Sequence, residues 1–266
     1  MDTLALVEPV AALMRDVAAR IVMPRFRRLD AADIEEKAPD ELVTVADREA
    51  EAALGDCLIR LLPGSRIIGE EGCAADEALV GTIGDGRVWI VDPIDGTHNF
   101  ASGETPFGIM IALAEDGVSQ AAWIYDPVRD RLCHAIRGGG AFIDGVPVRA
   151  RGSGATTPIA GLSTRYFPAG LREELEARAG GLLRCVPIPR CAAEQYPRLV
   201  LGENDVALFY RTFAWDHAPG ALIVAEAGGK VARFDGTPYA PTQTGTGLIA
   251  AASPELWDRA AAILLE

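Results

Sequence analysis

From residue 66 to residue 148 the chain is a series of short apolar runs, each cut off by Gly, Asp or Pro: "RIIG", "RVWIV", "FGIMIALA", "SQAAWIYD", "RLCHAIR" and "AFIDGVPV". Runs of this length, rich in Ile, Val and aromatic residues, read as strands. Several connectors are turn-sized, among them Glu115-Asp116-Gly117 and Pro127 to Asp130, which favours hairpins in one largely antiparallel sheet. Residues 3–29 carry Leu6, Val10, Leu13, Val17 and Ile21 at spacings of three and four, the pattern of a helix that Pro9 and Pro24 bend or bound. The polar stretch "DAADIEEKAPDE" reads as a loop or short hairpin. Thr44 then caps a second helix with the stripe Ala50, Leu54, Leu58 and Leu61, which Pro63-Gly64 stops.

A composition shift at "RARGSGATTP", residues 149–158, marks a change of architecture. Beyond it the pattern alternates: strand 159–163, helix 171–179, strand 182–188, helix 191–202, strand 205–210, helix 216–227, strands 230–234 and 247–252, and helix 254–265. Alternation of this kind predicts a layered, mixed α/β half. The expected fold is therefore α+β: a helix pair on a largely antiparallel sheet in residues 1–150, then a mixed α/β half in 151–266, in one compact unit. A chain of 266 residues suffices for a sizeable core.

The formal net charge of -13 argues against nucleic-acid binding by phosphate neutralisation. An acidic protein that acts on an anionic substrate needs a metal to invert the local field. Cys57, Cys73, Cys133, Cys185 and Cys191 are scattered, without a C-x-x-C pair, and fit free thiols in a reducing compartment. His98, His134 and His217 are too few for a His-rich transition-metal site, whereas carboxylates are plentiful and suit hard cations such as Mg²⁺. No run approaches the roughly 18 apolar residues of a membrane span. The opening "MDTLALVEPV" lacks the basic region of a signal peptide. The expectation is a cytoplasmic protein with no membrane or nucleic-acid partner.

The chemistry-bearing stretch is "VWIVDPIDGTHNF", residues 88–100. An apolar strand runs into Asp92 and Asp95, with Pro93 fixing the turn and Gly96-Thr97-His98-Asn99 opening a short helix suited to a phosphate. Alone it reads equally as an acidic turn. The acids are three apart, which does not fit the D-x-D-x-T spacing of an aspartyl-phosphate phosphatase, and an EF-hand loop is excluded because its alternating acids and terminal Glu are absent. A second strand, "RIIG", ends in Glu70 and Glu71; the two strand ends side by side would crowd three or four carboxylates, tolerable with cations between them. Asp216, before the helical run that ends at Gly228-Gly229, reads as an N-cap that can also offer an oxygen to a metal. Asp47 reads as an acid complementing the dipole of the helix after Thr44, or as one that orients a nucleophilic water.

Together, Glu70-Glu71 after "IIG", "DPIDGTHNF" and "WDHAPG" (residues 215–220) resemble the motifs of the inositol monophosphatase family, in order and spacing over essentially the whole chain. The resemblance implies a Mg²⁺-dependent hydrolase of phosphate monoesters, a layered α-β-α-β-α sandwich, and a homodimer. It implies that Glu70, Asp92, the Ile94 carbonyl, Asp95 and Asp216 hold two or three Mg²⁺ ions, with Mn²⁺ as a substitute. It further implies that Asp47 and Thr97, with Glu70, serve the attacking water, that the Gly96 and Thr97 amides hold the phosphate, and that Asp95, Ala192 and Asp216 lie at the substrate. No serine or cysteine nucleophile is required. His98 adjoins the site and either contacts substrate or covers a surface helix.

Specificity is where the chain departs from the family. The family's Gly-Ser/Thr-Ala-Ala stretch reads Arg190-Cys191-Ala192-Ala193, and the inositol-binding Glu seven residues before Asp216 is Phe209. Arg211 nearby either meets a second anionic group or covers the polar face of its strand. The expected substrate is a small phosphorylated alcohol, inositol-1-phosphate-like by default, with histidinol phosphate or a 3′(2′),5′-bisphosphate nucleotide as alternatives. A regulatory binding protein retaining the fold is the rival from another class. "RGGGAF", residues 137–142, joins hairpin strands and is not a nucleotide loop, "RGSGATT" is a connector, and "EEKAPDE" reads as a solvated run that could cover the site.

Overall fold

The computed structural model describes residues 3–38 and 41–265. Pro39 and Asp40, within the "EEKAPDE" run, lie outside the described residues. Helices α1 (Val7–Val17) and α2 (Val45–Leu61) precede a seven-stranded sheet of β3 (Arg66–Gly69), β4 (Arg87–Asp95), β5 (Gly108–Glu115), β6 (Val118–Asp126), β7 (Arg131–Ile136), β8 (Gly140–Ile143) and β9 (Val146–Val148). Its strands lie in sequence order, antiparallel except for the parallel pair β3–β4. The polar stretch before α2 forms a hairpin, β1 (Ile34–Ala38) with β2 (Glu41–Thr44).

Strand alternation sorts the apolar side chains between the two faces. Ile109, Ile111, Leu113, Ala121 and Trp123 pack with Val10, Met14, Val17, Leu54 and Leu58 of α1 and α2. The residues between them, Met110, Ala122 and Ile124, pack against Tyr196, Leu199, Leu222 and Ile223 of α6 (Ala192–Leu201) and α7 (Ala214–Glu226). The buried indoles find partners: Trp89 Nε1 donates to Ser65 Oγ at 3.0 Å and Trp123 Nε1 to the Val7 carbonyl at 3.3 Å.

Beyond α6 and α7 lies a five-stranded sheet in the order β11 (Arg184–Cys185), β10 (Ile159–Leu162), β12 (Val206–Phe209), β14 (Leu248–Ala251) and β13 (Lys230–Arg233). Ala207, Phe209, Leu248 and Ala250 face the two helices. Val206, Leu208, Ile249 and Ala251 face α5 (Ala169–Ala179) and α8 (Pro254–Leu265). The layers are thus α-β-α-β-α. No helix among the described residues is long and apolar enough to cross a membrane.

Three expectations need correction. The first helix does not run to residue 29. After α1 a wider π turn takes it to Val22, Met23 N bonds to the Ala18 carbonyl, and turns follow, because Pro24 has no N–H to continue the ladder. The strand expected at 182–188 shrinks to Arg184–Cys185, since Pro187 and Pro189 cannot donate to a neighbouring strand. The "EEKAPDE" run is not simply solvated: Glu35 pairs with Arg48, and Lys37 reaches inward to Glu70 and Glu71.

The middle layer depends on one close approach. A Cβ at Gly220 would lie 2.0 Å from the Tyr196 ring, so α6 and α7 meet over a glycine. Gly220→Ala is expected to destabilise the fold by about 1–3 kcal/mol, the usual cost of overpacking. Thermal unfolding of the variant checks this, and an unchanged Tm would contradict the packing described.

Candidate active site

The site is built at the ends of β3 and β4. Their parallel register sets Gly69 against Val91, so Glu70 follows beside Asp92. Residues three apart on a regular strand point to opposite faces. Here the β4–β5 register slips between Asp92, opposite Met110, and Asp95, opposite Gly108. One extra residue on β4 makes a bulge, and a bulge reverses the side on which the next residue emerges. Pro93, without an N–H, sits inside it. This bulge brings both aspartates to one side, where oxygens of Asp92, Asp95 and Asp216 lie within 4.8 Å of one another.

Asp216 is not an N-cap. Helix α7 starts at Ala214, with Phe213 in the cap position, and Asp216 sits in the first turn facing the other acids. Buried acids in such number resist ionisation. Burial first, then Glu70, Asp95 and Asp216, holds the Asp92 carboxyl well above its ordinary range. Asp216 is pushed up by burial, then by Glu70 and Asp95. Glu70 is raised to about 7 by burial, against the pull of Lys37. Asp95 is also raised by burial, although several donors favour its charge. Ala193 N donates to its Oδ2 at 2.6 Å, and the amides of Ala192 and Gly96 add to this. The Ala192-Ala193 stretch, expected at the substrate, thus also holds Asp95.

Gly96 follows in the left-handed region at φ 85° and opens the short helix α4 (Thr97–Ala101), as its sequence suggested. Thr97 Oγ1 lies 3.0 Å from the Ile94 carbonyl and 3.3 Å from Asp47 Oδ1. Asp47 is buried in the first turn of α2. Its other oxygen, Oδ2, accepts from Thr44 N at 2.8 Å and Thr44 Oγ1 at 2.5 Å, in a reciprocal cap. Burial raises its carboxyl to about 6, opposed by the Thr44 bonds. The cap and dipole readings of this helix start therefore hold together with a link to Thr97.

These groups open on a cleft of about 1100 Å³ lined by Glu70, Asp92, Ile94, Asp95, Gly96, Thr97, Ala192, Arg211 and Asp216, with Asp47 behind Thr97. Arg211 ion-pairs with Glu41 of β2 and stacks 3.9 Å above the Tyr166 ring. Phe209 is buried, stacked on Tyr196 and edge-on to His217. His217 accepts at Nδ1 from Tyr196 Oη (2.7 Å) and lies 3.0 Å from the Arg211 carbonyl through Nε2. Burial holds its pKa down to about 4, and with both ring nitrogens engaged this histidine braces α7.

Two contributors escaped sequence reading. Glu51 accepts from the Glu71 and Gly72 amides, both at 2.8 Å, and so caps α3 (Glu70–Ala75), the helix that Glu70 begins. Lys37 Nζ bridges Glu70 and Glu71, each at 2.7 Å. Burial works against its charge, but the two glutamates prevail and raise its pKa. Glu51 lies one helical turn after Asp47, the only signal that marked it; nothing local marked Lys37.

The donor set suits a hard divalent cation: carboxylate oxygens converge, and the acids repel one another without a counter-charge.

Comparison with known proteins follows the same line. The model of the inositol monophosphatase family matches residues 5–266. The Bacillus subtilis inositol-1-monophosphatase is 32% identical over 231 residues, covering 85% of this chain and 84% of that protein. The Mycobacterium tuberculosis histidinol-phosphatase is 35% identical over 233 residues, covering 85% and 87%. The solved structure of a Thermotoga maritima IMPase superposes with a TM-score of 0.81 at 27% identity, covering 99% of this chain and 98% of that one.

Proposed function

As the chain belongs to the inositol monophosphatase family and is a phosphoric monoester hydrolase, we propose that it hydrolyses the phosphate ester of a small alcohol, inositol-1-phosphate-like in size, with Mg²⁺ as cofactor. The observation that carries this reading is the convergence of Asp92, Asp95 and Asp216 beside the Thr97–Asp47 pair, at the floor of one cleft. Glu70, Asp92, the Ile94 carbonyl, Asp95 and Asp216 would hold the cations. When bound, these supply neutralisation of the phosphate dianion and a lowered pKa for water.

The chain's own residues do the rest. Thr97 Oγ1 has one proton and two acceptors in reach, Asp47 Oδ1 and the Ile94 carbonyl, so a lone pair remains to take a hydrogen bond from the attacking water. Asp47, with a carboxyl near 6, is poised to receive a proton through that hydroxyl at neutral pH. The N–H of Thr97, at the start of α4, would donate to the phosphate. Thr44 fixes the Asp47 carboxylate through its second oxygen, leaving Oδ1 for this task.

A loose phosphoryl-transfer transition state asks for this kind of positioning and charge stabilisation more than for a nucleophilic side chain. At Phe209 the wall is apolar, so hydroxyl recognition by a carboxylate is not built there. A homodimer and a cytoplasmic location belong to the same proposal.

The test is phosphate release from inositol 1-phosphate, histidinol phosphate, fructose 1,6-bisphosphate and adenosine 3′,5′-bisphosphate, with and without Mg²⁺. Turnover of at least one ester is expected, and chelation of the metal should abolish it. Absence of turnover with either Mg²⁺ or Mn²⁺ would leave the regulatory-protein reading as the better one.

A further inference from the structure

Four basic side chains, Lys37, Arg165, Arg190 and Arg211, line the cleft beside the acidic floor. Lys37 is engaged by Glu70 and Glu71, and Arg211 by Glu41. Arg190 is different: it is exposed and has no hydrogen bond or ion pair with any described residue. It also has an unfavourable backbone. Its φ is 54°, in the left-handed region that glycine enters freely and arginine enters at a cost.

That conformation is imposed from both sides. The preceding carbonyl, of Pro189, accepts from Asn99 Nδ2 at 3.0 Å, and the same amide holds the Pro106 carbonyl at 2.7 Å. The following residue, Cys191, lies against the phosphate loop: a Cβ at Gly96 would sit 3.2 Å from the Cys191 Cβ. Strain of this type persists only where the surroundings over-determine it, and it gathers at ligand sites. A long cationic side chain therefore starts one residue from the phosphate loop, in a fixed position, with its charge unspent.

Resting on the phosphatase reading above, we propose that Arg190 determines specificity by binding a second acidic group, a phosphate or a carboxylate, on the alcohol that leaves. A guanidinium presents a planar fork that matches either oxyacid. The cations at the floor take the scissile phosphate, so a neutral polyol would leave Arg190 without a counterpart. Phe209, in place of a hydroxyl-binding carboxylate, agrees with a leaving group recognised by charge. Arg211 stands in the same wall, already matched by Glu41.

The experiment compares matched esters on the Mg²⁺-loaded enzyme: fructose 1,6-bisphosphate against fructose 1-phosphate, and 3-phosphoglycerate against glycerol 3-phosphate. The diacid of at least one pair is expected to have a kcat/KM about tenfold or more above its partner, and the pair that responds tells a phosphate from a carboxylate. Arg190→Gly should lower that ratio roughly 10- to 100-fold, mainly through KM, the range for losing a charged hydrogen bond. Arg190→Lys should retain part of it.

Folding is monitored alongside. Arg190→Gly should melt no lower than wild type and above Arg190→Ala, because glycine accepts the left-handed backbone. No preference in either pair, or a preference that survives Arg190→Gly, overturns the proposal. Should no ester be hydrolysed, the phosphatase reading falls on its own. Calorimetric titration of the same pairs into the Mg²⁺-loaded protein then decides the anion site: tighter binding of a diacid, lost in Arg190→Gly, supports it, and equal affinities refute it.

Discussion

Asp95→Asn is expected to reduce kcat/KM by at least about 10²-fold, the scale on which loss of one preorganised electrostatic contact acts, while the metal-free protein becomes more stable. The two effects have one cause. Asp95 is buried beside Asp92 and Asp216 and is held above its ordinary pKa. Asparagine keeps an oxygen to accept from the Ala193 amide, so the contact between α6 and the end of β4 survives. What is lost is one negative charge: a burden when the acids face only one another, and a necessity when they hold cations. Phosphate-release kinetics and thermal unfolding in chelator read the two halves separately. A variant with near wild-type turnover would sink the assignment of Asp95 as a ligand, whatever its Tm.

The second large effect is a stabilisation by metal that grows with pH. Glu70 is raised from 4.5 to about 7 and Asp47 from 3.8 to about 6, and Asp92 and Asp216 are also held well above their ordinary range. An acid whose folded pKa exceeds its unfolded value contributes stability that is full below the unfolded pKa and is lost as pH rises through the folded one. Between pH 5 and pH 8, these groups should therefore make the metal-free protein progressively less stable. Saturating Mg²⁺ binds the deprotonated site and gains affinity over the same window, so the difference in Tm between the Mg²⁺-loaded and chelated protein should widen with pH. Melting curves across this range, with chelator and with Mg²⁺, provide the check. A difference in Tm that is constant or that narrows towards pH 8 would mean that the acids do not form a cation site. Asp92→Asn should flatten the metal-free profile, since it removes a carboxyl held well above its ordinary range.

Much of the fold was legible along the chain. The helix stripes, the turn residues between strands 66–148 and the alternation after residue 158 carry local rules that each segment obeys by itself. Boundaries failed where proline intervened, at Pro24 and at Pro187 and Pro189, because the missing N–H acts on a neighbour that sequence alone does not display. Of the site, the acids could be read because each ends a strand or begins a helix. Glu51 and Lys37 could not, since their partners lie 20 and 33 residues away, on elements brought near only by packing. Arg190 read merely as a departure from a motif; its strain is a property of the backbone that Asn99 and Cys191 impose on it.

The sequence by itself determined which chemistry is available: oxygen donors at strand ends, a glycine turn opening a short helix after Asp95, and a helix cap at Thr44 that doubles as a support for Asp47. These are short-range facts, set by residue type and spacing. The tertiary structure alone decided how those donors face one another. The bulge at Pro93 turns two aspartates to one side, the β3–β4 register lays Glu70 against Asp92, and α7 delivers Asp216 from more than a hundred residues away. The physical reason is that a cation site and a substrate wall are arrangements of charge in space, and charge acts across distances that the order of residues does not encode.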